Sequence, residues 1–186
     1  MLHSALYPAF SAVSGAGIVA SRDIHLGTVV WGPCANCRVW DVAQLTTAIP
    51  AVVQWLDEYG YRLADGKLIL PCGGAHLLNH SCEATVLDYG LGVGIAVRDA
   101  KAGEEITIDY RTFRHELSWE FACSCGTPAC VGKVRSVAGS IPATLVAAWQ
   151  ERIAPALERA RNLPQEIPLR EGSVVVPPTW SNRVRR

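Results

Sequence analysis

The chain has 186 residues, 49% of them apolar and 18% charged, with seventeen Lys and Arg balancing seventeen Asp and Glu. Sixteen glycines and eleven prolines in that background describe a turn-rich globular protein and exclude a disordered one. The length suits one domain with an appendage, and the balanced charge offers no basic surface to recommend nucleic acid as the main partner.

The first twenty residues hold no Lys, Arg, Asp or Glu. They lack the basic start of a signal peptide, and Pro8, Ser11, Ser14, Gly15 and Gly17 interrupt the apolar run. No later run approaches the ~18 apolar residues of a membrane helix. An intracellular protein is expected, cytoplasmic with the nucleus left open. From Gly15 to Trp31, β-branched runs at 18–19 and 28–30 flank a polar turn and predict two strands of a hairpin or meander. Gly15 and Gly17 suit a turn or a close backbone approach.

Cys34 and Cys37 follow with metal-ligand spacing. Nothing nearby completes a set of four, Cys72 alone would leave it one short, and packing thiols are the preferred reading. Asp41 fits a helix N-cap, and 42–56 is helical in composition with Pro50 splitting or kinking it. From Asp57 to Leu70 the pattern predicts strand, turn and strand. Tyr59, Tyr61 and Leu63 alternate, and Asp65-Gly66 supplies the turn.

Pro71, Gly73 and Gly74 then lead into Asn79-His80-Ser81-Cys82, the densest polar cluster of the chain. Val86–Tyr89, Gly94–Val97 and Ile106–Tyr110 read as further short strands, giving a β-rich α+β domain. Cys123-x-Cys125-x4-Cys130 offers three thiolates on one tight loop, one short of a tetrahedral zinc set. His115 and Cys82 are the two candidates for the fourth ligand. Seven cysteines, an odd number, favour reduced thiols and a metal over a closed disulfide framework. Beyond the loop, Ile141, Leu145, Trp149, Ile153 and Leu157 recur every four residues as the stripe of an amphipathic helix. Pro142 suits its first turn, Pro155 should kink it, and Pro164 ends it. A helix laid on the domain is preferred over a partner-binding one, and a dimer through this helix is left open. Residues 172–178 read as extended, and Arg183-Val184-Arg185-Arg186 as a solvated tail.

Asn79-His80-Ser81-Cys82, Gly103-Glu104-Glu105-Ile106-Thr107-Ile108-Asp109-Tyr110 and the Cys123–Cys130 loop resemble the SET-domain protein-lysine methyltransferases that carry a post-SET zinc loop. Gly15-Ala16-Gly17-Ile18-Val19-Ala20, with Arg22-Asp23-Ile24 and Gly27 after it, is similar to the family's glycine-containing first motif. The resemblance runs in order from about residue 10 to about residue 135. It implies small curved β-sheets around a knot-like crossing, an exception to the rule against threading. The implied organisation is a SET domain over 1–118, a zinc loop over 119–136, and a helical extension with tail over 137–186.

The resemblance also implies an S-adenosylmethionine-dependent methyl transfer to a lysine of a protein substrate. Gly15, Gly17, Asn79 and His80 would contact the cofactor, Tyr110 would sit where transfer occurs, and Cys82, Cys123, Cys125 and Cys130 would hold zinc. Tyr59, Tyr61 and Ile108 are the candidates for the lysine channel. Two departures stand out. Glu83 and Ala84-Thr85 follow Cys82 where the family has a residue and then Pro-Asn. Ile108 occupies a position that is often Phe or Tyr, which leaves room for higher methylation states. The alternatives are a catalytically silent SET-like module that binds a protein tail, and a thiol-rich zinc domain with an incidental likeness.

Overall fold

The computed structural model describes residues 1–45, 47–63, 67–113, 119–135 and 141–170. In chain order the elements are β1 (Leu6–Phe10), β2 (Ala16–Ala20), β3 (Val29–Trp31), β4 (Val39–Trp40), α1 (Val42–Leu45), α2 (Pro50–Tyr59), β5 (Tyr61–Arg62) and β6 (Leu68–Ile69). There follow β7 (Val86–Leu87), β8 (Gly94–Ala96), β9 (Glu105–Ile106), β10 (Glu120–Ala122), β11 (Lys133–Arg135) and α3 (Ala143–Ala160), with 3-10 turns at Ala75–Leu77 and Tyr110–Thr112. The sheets are small and antiparallel, ordered β1-β2-β9, β3-β8-β7, β4-β6-β5 and β10-β11. This is a mostly β, α+β architecture with a C-terminal helix. No helix among the described residues is long and apolar enough to cross a membrane.

The β3-β8-β7 sheet separates two cores. Val30, Trp31, Val86 and Ala96 face a core shared with Ile18, Ile106 and Ile108. Val29, Leu87 and Ile95 face the other, which Trp149, Ile153 and Ala156 of α3 complete. Burial on both faces explains why these strands carry continuous apolar runs instead of alternation. It also settles what covers the helical stripe: α3 docks in cis on its own domain. Gly27 makes that contact possible, because a Cβ there would press on the Ala156 carbonyl and the Ala160 amide. Pro155 lies inside α3 without ending it.

Three expectations need correction. The strands at 18–19 and 28–30 do not pair with each other. β2 lies between β1 and β9, whereas β3 pairs with β8. The intervening chain is drawn off by the reciprocal Ile24–Ala100 backbone bonds, 2.9 and 2.8 Å. Tyr59 is the last residue of α2 and not part of a strand. Pro50 starts that helix, and the Gly60 N–H closes it on the Leu56 carbonyl at 2.8 Å. The strand predicted over Ile106–Tyr110 is regular only as far as Ile106, and Tyr110 opens a 3-10 turn. The Asp65-Gly66 turn, His115, residues 172–178 and the Arg183–Arg186 tail lie outside the described residues.

Asp88, directly after β7, is 2% exposed. Burial pushes its pKa up to about 8, offset only in part by the Tyr61 side chain and the N–H groups of Gly92, Val93 and Leu91. An acid whose pKa is higher folded than unfolded keeps its proton in the folded chain through the window from about 4 to about 8. The folded state then binds the extra proton, so stability falls as pH rises through that window. Asp88→Asn keeps the shape and cannot ionise. It is expected to flatten that decline, unfolding at higher denaturant than the parent at about pH 9 and near it at about pH 5. Denaturant midpoints at both pH values check this, and parallel pH profiles would refute it.

Candidate functional site

The site forms where the segment 106–110 runs between residues 79–81 and β7. The Ile108 N–H donates to the Asn79 carbonyl at 2.9 Å, the Ser81 N–H to the Ile108 carbonyl at 3.3 Å, and the Val86 N–H to the Thr107 carbonyl at 2.9 Å. Ile108 thus bridges His80 and Val86 in parallel fashion, which sets Tyr110 beside His80. The Asn79 amide reaches the other way, to Ser11 Oγ (3.0 Å), the Ser14 and Ala16 carbonyls (3.0 and 3.1 Å) and Glu105 Oε1 (2.9 Å). One side chain therefore pins the loop that carries Gly15 and Gly17. A Cβ at Gly17 would strike Glu105 Oε1 and Ser11 Cβ, whereas one at Gly15 would meet open space. The open space beside Gly15 leaves room for S-adenosylmethionine along this loop, while its nearby oxygens are engaged by Asn79.

His80 is 4% exposed. Its Nδ1 accepts from the Tyr110 N–H at 3.1 Å, and Nε2 lies 3.4 Å from Cys82 Sγ. Burial pulls its pKa to about 4, with Asp109 opposing and Arg111 assisting, so the ring is neutral and its proton sits on Nε2, facing the thiol. The His80 ring thus orders Tyr110 on one side and Cys82 on the other.

The Tyr110 hydroxyl donates to the Leu78 carbonyl at 2.7 Å. Burial, with a smaller contribution from Tyr59, pushes its pKa up to about 12. Tyr110 lines a cavity of about 530 Å³ together with Tyr59, Tyr61, Ile108, Trp119 and Phe121. Trp119 and Phe121 stack at 5.8 Å and 20°, and Tyr61 meets Trp31 edge-on at 4.7 Å. Tyr59, Tyr61 and Ile108 therefore converge on one cavity from three different elements.

The ligand atoms of Cys82, Cys123, Cys125 and Cys130 all lie within 4.8 Å of one another. β10 and β11 hold the loop, with the Cys123 N–H donating to the Gly132 carbonyl at 2.8 Å. Four sulfurs bound to zinc at ~2.3 Å would stand ~3.8 Å apart, and Cys82 and Cys123 are 3.9 Å apart. Burial opposes ionisation of Cys125, yet the Cys82 N–H and Thr127 bring its pKa down to about 5. Burial and the neighbouring thiols push Cys123 up to about 12. A divalent cation would relieve that competition, so the donor set fits zinc. Its loop is tied to the glycine loop by Ser124 Oγ, which donates to the Val13 carbonyl at 3.0 Å.

One further contact leaves no local pattern in the sequence. Asp109 is fully buried and accepts from Arg111 Nε (2.8 Å) and Nη2 (2.7 Å) and from the Trp149 indole N–H (3.0 Å). The residue next to Tyr110 is thereby fastened to α3. Arg152 of the same helix donates to the Ala84 carbonyl. Only the polar tip of Trp149 could have hinted at this, because its apolar period assigns it wholly to the core.

A family profile for the SET domain matches residues 15–111. The histone-lysine N-methyltransferase ATX2 of Arabidopsis thaliana is 40% identical over 67 residues, 32% of this chain and 6% of that protein. The histone-lysine N-methyltransferase trr of Drosophila melanogaster is 27% identical over 139 residues, 67% of this chain and 6% of that protein. The chain thus spans a small fraction of the length of these curated relatives. A crystal structure from Plasmodium falciparum, described as a candidate histone methyltransferase, covers 59% of this chain and 95% of its own at 19% identity and TM-score 0.44. The profile match takes in more than half of the chain, including the glycine loop, the Asn79–Cys82 segment and Tyr110, and the chain belongs to the SET-domain family.

Proposed function

We propose that this chain is an S-adenosylmethionine-dependent protein-lysine N-methyltransferase with a structural zinc. The observation that carries the reading is the aromatic-lined cavity that Tyr110 shares with Tyr59, Tyr61, Trp119 and Phe121, reached from a segment bonded to Asn79-His80. Gly15, Gly17, Asn79 and His80 would hold the cofactor, and Cys82, Cys123, Cys125 and Cys130 the zinc. Residues 1–118 would form the catalytic domain, 119–136 the zinc loop and 137–186 the extension.

When bound, S-adenosylmethionine supplies an electrophilic methyl group on a sulfonium. The chain's own residues do the rest. A mainly apolar cavity walled by Tyr59, Tyr61, Ile108 and Trp119 disfavours the lysine ammonium, whose ordinary pKa is ~10.4, and favours the neutral amine. Tyr110 donates its proton to Leu78, which leaves its oxygen lone pairs free to accept an amine N–H and aim the nitrogen. With a pKa near 12 it remains a phenol and serves as an orienting group, not a base. Catalysis then rests on positioning.

The test is transfer of label from methyl-labelled cofactor to lysine in lysate proteins, with histone tails tried first because the relatives above are named for histone lysine. A folded, zinc-loaded chain with no cofactor affinity by calorimetry would instead leave a silent binding module. Ile108 gives a finer check. The branched aliphatic side chain leaves space that an aromatic ring would fill. The parent is expected to yield di- or trimethyl product, and Ile108→Phe to stop earlier. Mass spectra showing only monomethyl lysine from the parent at long times would refute this. Zinc and cofactor should also be coupled, through Ser124–Val13 and through His80. Chelation is expected to weaken cofactor affinity by roughly tenfold; equal calorimetric affinities with and without zinc would show the two sites to be independent.

A further inference from the structure

A second group of thiols lies outside the zinc loop. Cys34 and Cys37 sit on the turn after β3, and Cys72 follows β6. Read from spacing alone, Cys72 would leave a metal set one short, and packing thiols are the preferred reading. In the fold the three sulfurs close a nearly equilateral triangle: 3.6 Å for Cys34–Cys37, 3.5 Å for Cys34–Cys72 and 3.6 Å for Cys37–Cys72. Cys34 and Cys37 are buried, and Cys72 is partly exposed.

Packing alone does not account for this arrangement. A packing thiol turns toward apolar neighbours, whereas here three sulfurs face one another. The backbone serves them in the manner of a metal knuckle. The Cys37 N–H donates to the Cys34 carbonyl at 3.0 Å, and the Cys34 N–H points at Cys37 Sγ at 3.4 Å. The sulfur separations approach the ~3.8 Å edge of a zinc–thiolate tetrahedron. An ion ~2.3 Å from all three would stand roughly 1 Å out of their plane, as a tetrahedral centre does over one face.

We propose that Cys34, Cys37 and Cys72 form a second metal site, which takes zinc through three thiolates and leaves the fourth position to solvent. Among the described residues, no fourth His, Cys, Asp or Glu joins the group, and the partial exposure of Cys72 gives water access. The location assigns the ion a purpose. Cys37 and Cys72 bracket the insert that carries β4, α1, α2, β5 and β6, and Tyr59 and Tyr61 of that insert wall the cavity. Cys34, in turn, bridges Leu169. The ion would fasten the root of the cavity wall to the domain and to the C-terminal segment. Only the naming of that wall as a lysine channel rests on the methyltransferase reading; the metal site stands or falls on metal counting.

The test is elemental analysis of the full chain purified under reductant without added metal, beside Cys72→Ser, Cys130→Ser and the double variant. Two zinc per parent chain, one in each single variant and none in the double is the expected result. One zinc per parent chain, lost in Cys130→Ser and kept in Cys72→Ser, overturns the proposal. So does a Cys34–Cys37 or Cys34–Cys72 disulfide found by mass spectrometry in fresh protein, since the thiols would then be a redox pair. Should Cys72→Ser fail to fold, cobalt(II) substitution of the parent decides. Charge-transfer absorption matching seven thiolates supports the site, and absorption matching four refutes it. Hydrogen exchange gives an independent readout: faster exchange in 50–62 with β10 and β11 unchanged is expected in Cys72→Ser, and unchanged exchange in 50–62 would deny the ion its clamping role.

Discussion

Tyr110→Phe is expected to lower methyl transfer by on the order of 10²-fold, the scale on which slight misplacement of reacting groups acts, while zinc content and cofactor affinity stay near the parent's. The hydroxyl is held in two ways. Its proton goes to the Leu78 carbonyl at 2.7 Å, and its backbone is fixed by the bond from its N–H to His80 Nδ1 at 3.1 Å. Phenylalanine preserves the second tie and the ring contacts with Phe113 and Phe121, so the cavity keeps its shape. What disappears is the oxygen that the proposed mechanism sets against the incoming amine. The Leu78 carbonyl loses its donor, a cost of about 1 kcal/mol in stability, too small to unfold the domain. Single-turnover transfer from labelled cofactor, alongside calorimetry of cofactor binding, checks the prediction. Undiminished transfer would remove Tyr110 from its assigned role, and a loss explained wholly by weaker cofactor binding would move it to the cofactor side.

Tyr110 and its neighbours were legible in the sequence because chemistry-bearing residues stand close together along the chain. Asn79-His80-Ser81-Cys82, Ile106–Tyr110 and Cys123–Cys130 each announce themselves locally. The α3 stripe was equally plain, since a period near four over Ile141 to Leu157 has no strand reading. What could not be read was long-range or two-faced. β1 (Leu6–Phe10) contains Pro8, an argument against a strand, yet as the edge of β1-β2-β9 it tolerates a residue with no N–H to give. Tyr59-Gly60-Tyr61 mimics strand alternation, although a helix ends at the first of these residues and a strand begins at the last. Cys72 joins Cys34 across 38 residues, and Trp149 reaches Asp109 across 40; no local pattern reports such meetings. Spacing offers Cys72 as a third thiol for Cys34 and Cys37 and stops one short of four; the fold brings those three together, and among the described residues no fourth joins them.

The Trp149–Asp109 contact leads to the larger stability prediction. Asp109→Ala is expected to cost about 3–5 kcal/mol, because removing one partner of a buried ion pair strands the other. The Arg111 side chain is 11% exposed and directs both Nε and Nη2 at the Asp109 carboxylate. Without it the guanidinium keeps its charge, and among the described residues it is left with the distant Cys82 carbonyl, 3.5 Å from Nη2. The Trp149 indole N–H, in a residue 2% exposed, loses its acceptor as well. Trp149→Phe is milder, at about 1–3 kcal/mol, since the carboxylate retains Arg111. The two effects should fall short of additivity in a double-mutant cycle, because either change breaks the same bond. Urea midpoints and slopes measure both. The surface pair Asp23–Lys101, joined at 2.7 Å but exposed on both sides, is the control: Asp23→Ala should leave the midpoint nearly unmoved. An Asp109→Ala chain that unfolds at the parent's midpoint would refute the network's role. Methyl transfer should also fall in Trp149→Phe, though the indole lies in a helix outside the SET-domain match. Asp109 immediately precedes Tyr110, and the 3-10 turn that presents the hydroxyl starts from that carboxylate, which accepts the Arg111 N–H at 3.0 Å. Helix α3 is thereby part of the frame that holds the tyrosine, and an activity loss in Trp149→Phe at temperatures where the variant is fully folded would separate this positioning role from plain destabilisation.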